Sequence, residues 1–156
     1  MQSILFLCLG NICRSPLAEG AARTAFASAR LPVALDSAGT GDWHVGHPPD
    51  TRARAIAKRH GTDIGDRAGA ASDRGRLPPL RSYFGGRSSE LARSSNPRPT
   101  RTHARLALML DMVPGREGQA VADPYYGNAD DFAACWADVI AVADALVAAK
   151  GKRATG

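Results

Sequence analysis

Eight residues near the N-terminus, Cys8-Leu9-Gly10-Asn11-Ile12-Cys13-Arg14-Ser15, bring together a thiol, a guanidinium and a hydroxyl. Gly10 and Asn11 tolerate positive φ, so consecutive amides in this stretch can turn inward as an anion-binding nest. A thiol at Cys8 then lies within a ring of N–H donors, with Arg14 closing the top, and both favour the thiolate. Arg14 offers a planar fork that suits two phosphate oxygens, and Ser15 can donate a hydrogen bond to the sulfur. A nucleophilic thiolate beneath a tetrahedral oxyanion cradle is a device for attack on phosphorus. A cysteine at a strand end is, on its own, more often a small buried filler. Its spacing to Arg14-Ser15 outweighs that reading here.

The flanking sequence must position this loop. Ile4-Leu5-Phe6-Leu7 reads as a buried strand. A helix follows from Pro16 to about Arg30, with Ser15 as its cap, Pro16 in its first position, and Leu17, Ala21, Ala25 and Ser28 on its inward face. The loop therefore sits at a helix N-terminus, where unpaired N–H groups and the helix dipole favour an anion. Leu31 to Leu35 is expected to form a second strand that runs out into Asp36-Ser37-Ala38-Gly39-Thr40. In the loop from Gly41 to Pro49, Trp43 beside His44 is either an anchor folded onto the core or the wall of a pocket. Asp50 caps a helix through His60, and Gly61 stops it. Leu106 to Leu110 reads as a further strand. Phe132, Cys135, Trp136, Val139, Ile140, Ala143, Leu146 and Val147 form a helical stripe, with Asn128 or Asp130 as cap and Cys135 and Trp136 in core roles. Strands alternating with helices predict a single α/β domain whose parallel sheet is covered on both faces. Functional loops then emerge at the carboxyl ends of the strands, where Cys8 lies.

Cleaving a phosphate monoester requires a proton for the departing oxygen. Asp123, in Asp123-Pro124-Tyr125-Tyr126-Gly127, is the candidate acid. Pro124 fixes the backbone beside it, Gly127 lets the loop fold over a pocket, and Tyr125 and Tyr126 supply aromatic walls. The competing reading is an ordinary Asp-Pro turn with tyrosines at its rim.

At 156 residues the chain makes one domain. No uninterrupted apolar run of spanning length and no leader pattern stand out, so neither a membrane nor export is expected. Three cysteines, two of them in the reactive loop, do not resemble a secreted disulfide framework, and a reducing cytoplasm is the expected compartment. The net charge of +5 is localised: residues 67–105 hold nine arginines against Asp73 and Glu90, while the rest of the chain is slightly acidic. The charge therefore argues little for a nucleic-acid partner.

The strings CLGNICRSP and DPYYG, in this order, resemble the low-molecular-weight protein tyrosine phosphatases. The resemblance implies a four-stranded parallel sheet and a cysteine-dependent phosphatase that needs no metal or cofactor. It makes Cys8 the nucleophile, Arg14 the phosphate clamp, and Leu9, Gly10, Asn11, Ile12, Cys13, Arg14 and Ser15 the phosphate-binding loop. Asp123 becomes the acid of the first step and the base of the second. Asn11, with Ser37, would support the loop, and Trp43, Tyr125 and Tyr126 would flank an aromatic leaving group. Cys13 matches the thiol that pairs with the nucleophile under oxidation. The expected partner is a phosphotyrosine protein, met by a monomer. Apolar Ile12 points to phosphotyrosine, whereas related phosphoarginine phosphatases resemble Thr at that position; phosphoarginine is the alternative substrate. Arsenate reductases need further mid-chain cysteines, which are missing between Cys13 and Cys135. A phosphate-binding module without turnover is the alternative from another class.

The match runs from Gln2 to about Asp66 and from about Thr102 to Leu146, and fails between them. There the family has a central strand like FDLILAMD and a helix starting DRSNL. This chain has an Arg-, Ser-, Gly- and Pro-rich stretch without strand or helix period, which reads as a disordered or loop-like segment over about 67–101. The 22 residues Arg76 to Pro97 can be back-translated into codons whose neighbouring frame reads GFRRFDLILAVDRANLRDLQT. We therefore read the segment as translated one nucleotide out of register, the shift entering between Arg67 and Gly75 and corrected before Thr102. Loss of a central strand would cost several kcal/mol, roughly, against a typical stability of about 5–15 kcal/mol. A genuine insertion would instead present arginines to an acidic partner.

Overall fold

Strand β1 (Ser3–Cys8) is fully buried and apolar from Ile4 onward, as a strand covered on both faces must be. The computed structural model describes residues 3–41, 43–65, 82–86 and 105–154. Within them the order is β1, α1 (Arg14–Ser28), β2 (Ala34–Gly39), α2 (Thr51–Arg59), β3 (Ser82–Gly85), β4 (Arg105–Leu108), a 3-10 turn (Met109–Met112) and α3 (Ala129–Ala154). The strands form one four-stranded sheet in the order β2-β1-β3-β4, every pair parallel.

This order puts β1 in the interior and reverses the direction of winding between β1 and β3. Such a switch point opens a crevice at the carboxyl ends of the strands. Cys8, the last residue of β1, pairs with Gly39 of β2, and Leu7 pairs with Gly85 of β3. The nucleophile candidate is thus delivered to that crevice by a rigid element.

Several sequence expectations shift. Helix α1 begins at Arg14, and Cys13 occupies the capping position with no side-chain cap. Ser15 is not the cap because its hydroxyl is engaged with Asn11 and Cys8. The buried stripe of α1 is Leu17, Ala18, Ala21, Ala22 and Phe26, while Ser28 faces solvent. Strand β2 lies three residues beyond the expected start, because Arg30 turns into the left-handed region at φ 54° and Leu31 closes onto the Phe26 carbonyl. The expected strand over 106–110 ends at Leu108, where the Asp111 carboxylate accepts from the Leu108 N–H and winds a 3-10 turn.

The largest correction concerns the anomalous segment. Ser82–Gly85, inside it, forms β3 and pairs with both β1 and β4. Four residues are too few for a periodic signal; what fixes them is tertiary context. Phe84 is buried, its ring 6.2 Å from that of Phe6 on the neighbouring strand. The remainder of the segment, and with it the out-of-register reading, lies outside the described residues.

Helix α2 follows the expectation closely: the Asp50 carboxylate accepts from the Arg52 N–H, and Gly61 takes φ 81° just past the end. At the start of α3, Asn128 Oδ1 accepts from the Asp130 and Asp131 amides, and Asp131 returns a bond to the Asn128 N–H. Helix α3 is apolar and long enough to cross a membrane by length and composition, a feature that runs of uncharged residues did not reveal. Its apolar stripe, including Phe132, Trp136, Val139, Val142 and Leu146, is buried in the domain core.

Candidate active site

Three backbone tethers hold the loop after β1. Thr40 N–H donates to the Cys8 carbonyl and Gly41 N–H to the Leu9 carbonyl, both at 2.9 Å, and Asp50 N–H donates to the Ile12 carbonyl at 2.8 Å. Asn11 sits at φ 53°, the left-handed conformation that turns its amide inward. Gly10 was expected to share that conformation and does not. Its missing side chain makes room instead, since a Cβ there would lie 3.0 Å from the His44 ring.

The inward turn delivers donors to the sulfur. Asn11 N–H donates to Cys8 Sγ at 3.2 Å, and Ser15 Oγ lies 3.0 Å from it. Ser15 Oγ also donates to Asn11 Oδ1 at 2.6 Å, and Asn11 Nδ2 reaches the Ser37 carbonyl at 3.4 Å. Ser37 Oγ in turn donates to Glu19 Oε2 at 2.6 Å, and Glu19, buried in α1, is ion-paired with Arg23. Sequence reasoning named Ser37 and missed Glu19. The signal was a lone carboxylate on an alanine-rich helix that packs against the sheet.

The second loop arrives from the other side of the crevice. Gly86 N–H donates to the Leu7 carbonyl and Val121 N–H to the Gly86 carbonyl, so residues beyond Val121 are led to the end of β1. Arg14 Nη2 donates to Asp123 Oδ2 at 3.3 Å, with the Arg14 side chain only 2 % exposed. Asp123 Oδ1 accepts from the Tyr125 N–H at 3.2 Å. Thus Arg14 and Asp123, 109 positions apart in the chain, touch at a cavity that Cys8 also lines.

A cavity of about 200 Å³ opens between the loops. Cys8, Leu9, Gly10, Ile12, Cys13, Arg14, His44 and Asp123 line it. Trp43, 64 % exposed, lines the mouth and is not folded onto the core. Tyr125 and the almost fully exposed Tyr126 complete the rim, their rings edge-to-face at 4.9 Å. All the predicted site residues therefore converge on one crevice or its support. No group of metal-ligating side chains occurs among the described residues.

The other two thiols have a different environment. Burial, reinforced by the nearby Asp50 carboxylate, pushes the Cys13 thiol far up. Burial also raises Cys135, which projects from α3 into the core, to about 12, although the Arg14 charge opposes the rise. Both are therefore uncharged at neutral pH.

A sequence profile described as "Low molecular weight phosphotyrosine protein phosphatase" matches residues 3–154. A low molecular weight protein-tyrosine-phosphatase of Streptomyces coelicolor is 35% identical over 157 aligned positions, covering 98% of this chain and 96% of that one. A low molecular weight phosphotyrosine protein phosphatase of Schizosaccharomyces pombe is 34% identical, covering 88% of this chain and 89% of that one. The crystal structure of a protein tyrosine phosphatase from Entamoeba histolytica superposes with a TM-score of 0.86 at 26% identity, over 97% of this chain and 99% of that one. With the profile spanning nearly the whole sequence, this chain belongs to the low-molecular-weight phosphotyrosine protein phosphatase family.

Proposed function

We propose that the chain hydrolyses phosphotyrosine in proteins through a phosphocysteine on Cys8. The observation that carries this reading is a single arrangement: Cys8 Sγ bonded by the Asn11 N–H and the Ser15 hydroxyl, in one cavity with Arg14 and Asp123, which meet at 3.3 Å.

An arriving phosphate displaces the Asp123 carboxylate from Arg14, whose guanidinium turns its fork to two phosphoryl oxygens while the loop amides hold the third, and the freed carboxylate takes up a proton from solvent. The Cys8 thiolate attacks phosphorus in line with the phenolic oxygen. The S–P bond forms as the P–O bond breaks, and protonated Asp123 gives its proton to the leaving oxygen. The ionised Asp123 then takes a proton from water, whose oxygen attacks phosphorus and releases Cys8 as thiolate with inorganic phosphate. The charge of the transferring group is spread over its equatorial oxygens, so positioning and fixed donors supply most of the acceleration.

The rim supports an aryl ester. Trp43, Tyr125 and Tyr126 present aromatic side chains, and Ile12 adds an apolar one to the lining. Under peroxide, a Cys8 sulfenic acid would condense with the Cys13 thiol and release water, giving a reducible disulfide. A monomer in a reducing compartment, with no metal or cofactor, is part of this reading.

Turnover of phosphotyrosine and phosphoarginine peptides by the wild type and by Cys8→Ser tests it. The wild type is expected to prefer phosphotyrosine, and the variant to lose activity by a factor on the order of 10⁴ or more. Equal rates in the two would remove Cys8 from the chemistry. Faster release from phosphoarginine would change the substrate, and binding without turnover would leave a phosphate-binding module.

A further inference from the structure

Arg52 stands outside the cavity, at the start of α2, yet it touches both Asp50, which is tethered to the Cys8 loop, and Tyr125 of the Asp123 loop. Its backbone N–H and its Nε donate to Asp50 Oδ1 at 2.8 and 3.0 Å, and its Nη2 donates to Asp50 Oδ2 at 2.9 Å. The same Nη2 donates to the Tyr125 carbonyl at 3.0 Å. The guanidinium lies over the Phe132 ring at 4.7 Å and the Tyr125 ring at 5.6 Å.

Each end of this bracket leads to a reacting group. Asp50 N–H donates to the Ile12 carbonyl, in the middle of the Cys8 loop. Tyr125 N–H donates to Asp123 Oδ1. A continuous run of hydrogen bonds therefore joins the Cys8 loop to the Asp123 carboxyl by way of Asp50, Arg52 and Tyr125. The direct contact, Arg14 to Asp123, must open when Arg14 turns to a bound phosphate. The Arg52 bracket need not open.

We propose that Arg52 is the positioning residue of the general-acid loop, holding Tyr125, and through it Asp123, at a fixed reach from the Cys8 loop. The proposal rests on the reading of Asp123 as the acid. An exposed ion pair contributes little to stability, so the effect belongs to catalysis. A planar fork is required, because one nitrogen serves both Asp50 and Tyr125 while another closes the pair with Asp50.

The experiment compares wild type, Arg52→Met, Arg52→Lys and Asp123→Asn on aryl phosphates graded from nitrophenols to alkylphenols. Inhibition by inorganic phosphate is measured alongside. A displaced acid matters only where the leaving oxygen needs its proton. Arg52→Met is therefore expected to lower kcat/KM for phenyl phosphate by about 10²-fold, and for the most acidic nitrophenol ester by no more than about threefold. Its leaving-group dependence should steepen toward that of Asp123→Asn, Arg52→Lys should recover part of the loss, and inhibition by phosphate should be unchanged. A uniform loss across the series, no loss anywhere, or weakened phosphate inhibition would overturn the proposal. Steepening in Asp123→Asn with a parallel, unshifted series in Arg52→Met would overturn it while leaving the Asp123 reading intact. No steepening in Asp123→Asn would overturn that reading, and the Arg52 proposal with it.

Discussion

Ser15 has one hydroxyl proton and two neighbours that accept it. With Cys8 as a thiol, the S–H can point to Ser15 Oγ and the hydroxyl can donate its own hydrogen bond to Asn11 Oδ1. Once the sulfur is ionised, the hydroxyl must turn to it. A hydrogen bond to a charged group contributes about 1.5–3 kcal/mol. Ser15→Ala is accordingly expected to slow phosphoenzyme formation by about 10- to 100-fold, read from the burst phase of an aryl phosphate; an unchanged burst rate would contradict this. Cys135 gives a separate test. Its folded-state titration lies above its unfolded one, so between about pH 9 and about pH 12 the folded chain holds a proton that the unfolded chain has lost. Stability therefore falls as pH rises through that window. Denaturant melts of Cys135→Ala should show a shallower alkaline decline than wild type. At this scale Cys8, Arg14 and Asp123 stood out in the sequence by residue type and order, and the structure lines one cavity with all three. Ser15 was misread as a helix cap, because a hydroxyl before Pro16 carries the same signature whichever acceptor it finds. Arg52 carried no signal at all, because an arginine on the first turn of a polar helix reads as solvated until the fold brings Tyr125 to it.

At the scale of elements, the cap and stop of α2 were legible and strand bounds were not. Asp50 and Gly61 bracket α2 where the sequence placed them, because capping is local chemistry. The Arg52 hydrogen bond holds the Asp50 carboxyl below its usual range. Its contribution is present above the ordinary carboxylate value and is lost as pH falls through the lower folded one. Asp50→Ala should cost about 1 kcal/mol at neutral pH, and the gap to wild type should narrow in melts taken below about pH 3.8. A gap independent of pH would contradict the ionised cap. Strand β3 was illegible because Ser82-Tyr83-Phe84-Gly85 has neither the alternation nor the continuous apolar run of a strand, and pairing with β1 and β4 fixes it. In the neighbouring reading frame the same four positions read Leu-Ile-Leu-Ala. A chain carrying that frame in place of residues 76–97 is expected to melt higher, since β-branched and aliphatic residues suit a central strand better than Ser and Gly. An unchanged or lower melting temperature would contradict the expectation.

The whole molecule organises these parts through one topological fact: β1 lies between β2 and β3, where the winding reverses. Every loop of the site departs from, or is tethered to, the carboxyl ends of these strands. The parallel sheet and a site at its carboxyl ends were legible from the alternation of strands and helices and from the position of Cys8 at the end of the first apolar run; the strand order was not. The closure of the Asp123 loop onto Arg14 was not, because a contact spanning 109 positions is set by packing and leaves no local pattern. The account as a whole predicts a covalent intermediate on sulfur. Asp123→Ala, mixed with p-nitrophenyl phosphate and quenched within the first turnover, should carry one phosphoryl group on the peptide that contains Cys8, located by mass spectrometry. A quenched enzyme that turns over substrate with that peptide unmodified would contradict the account at its centre.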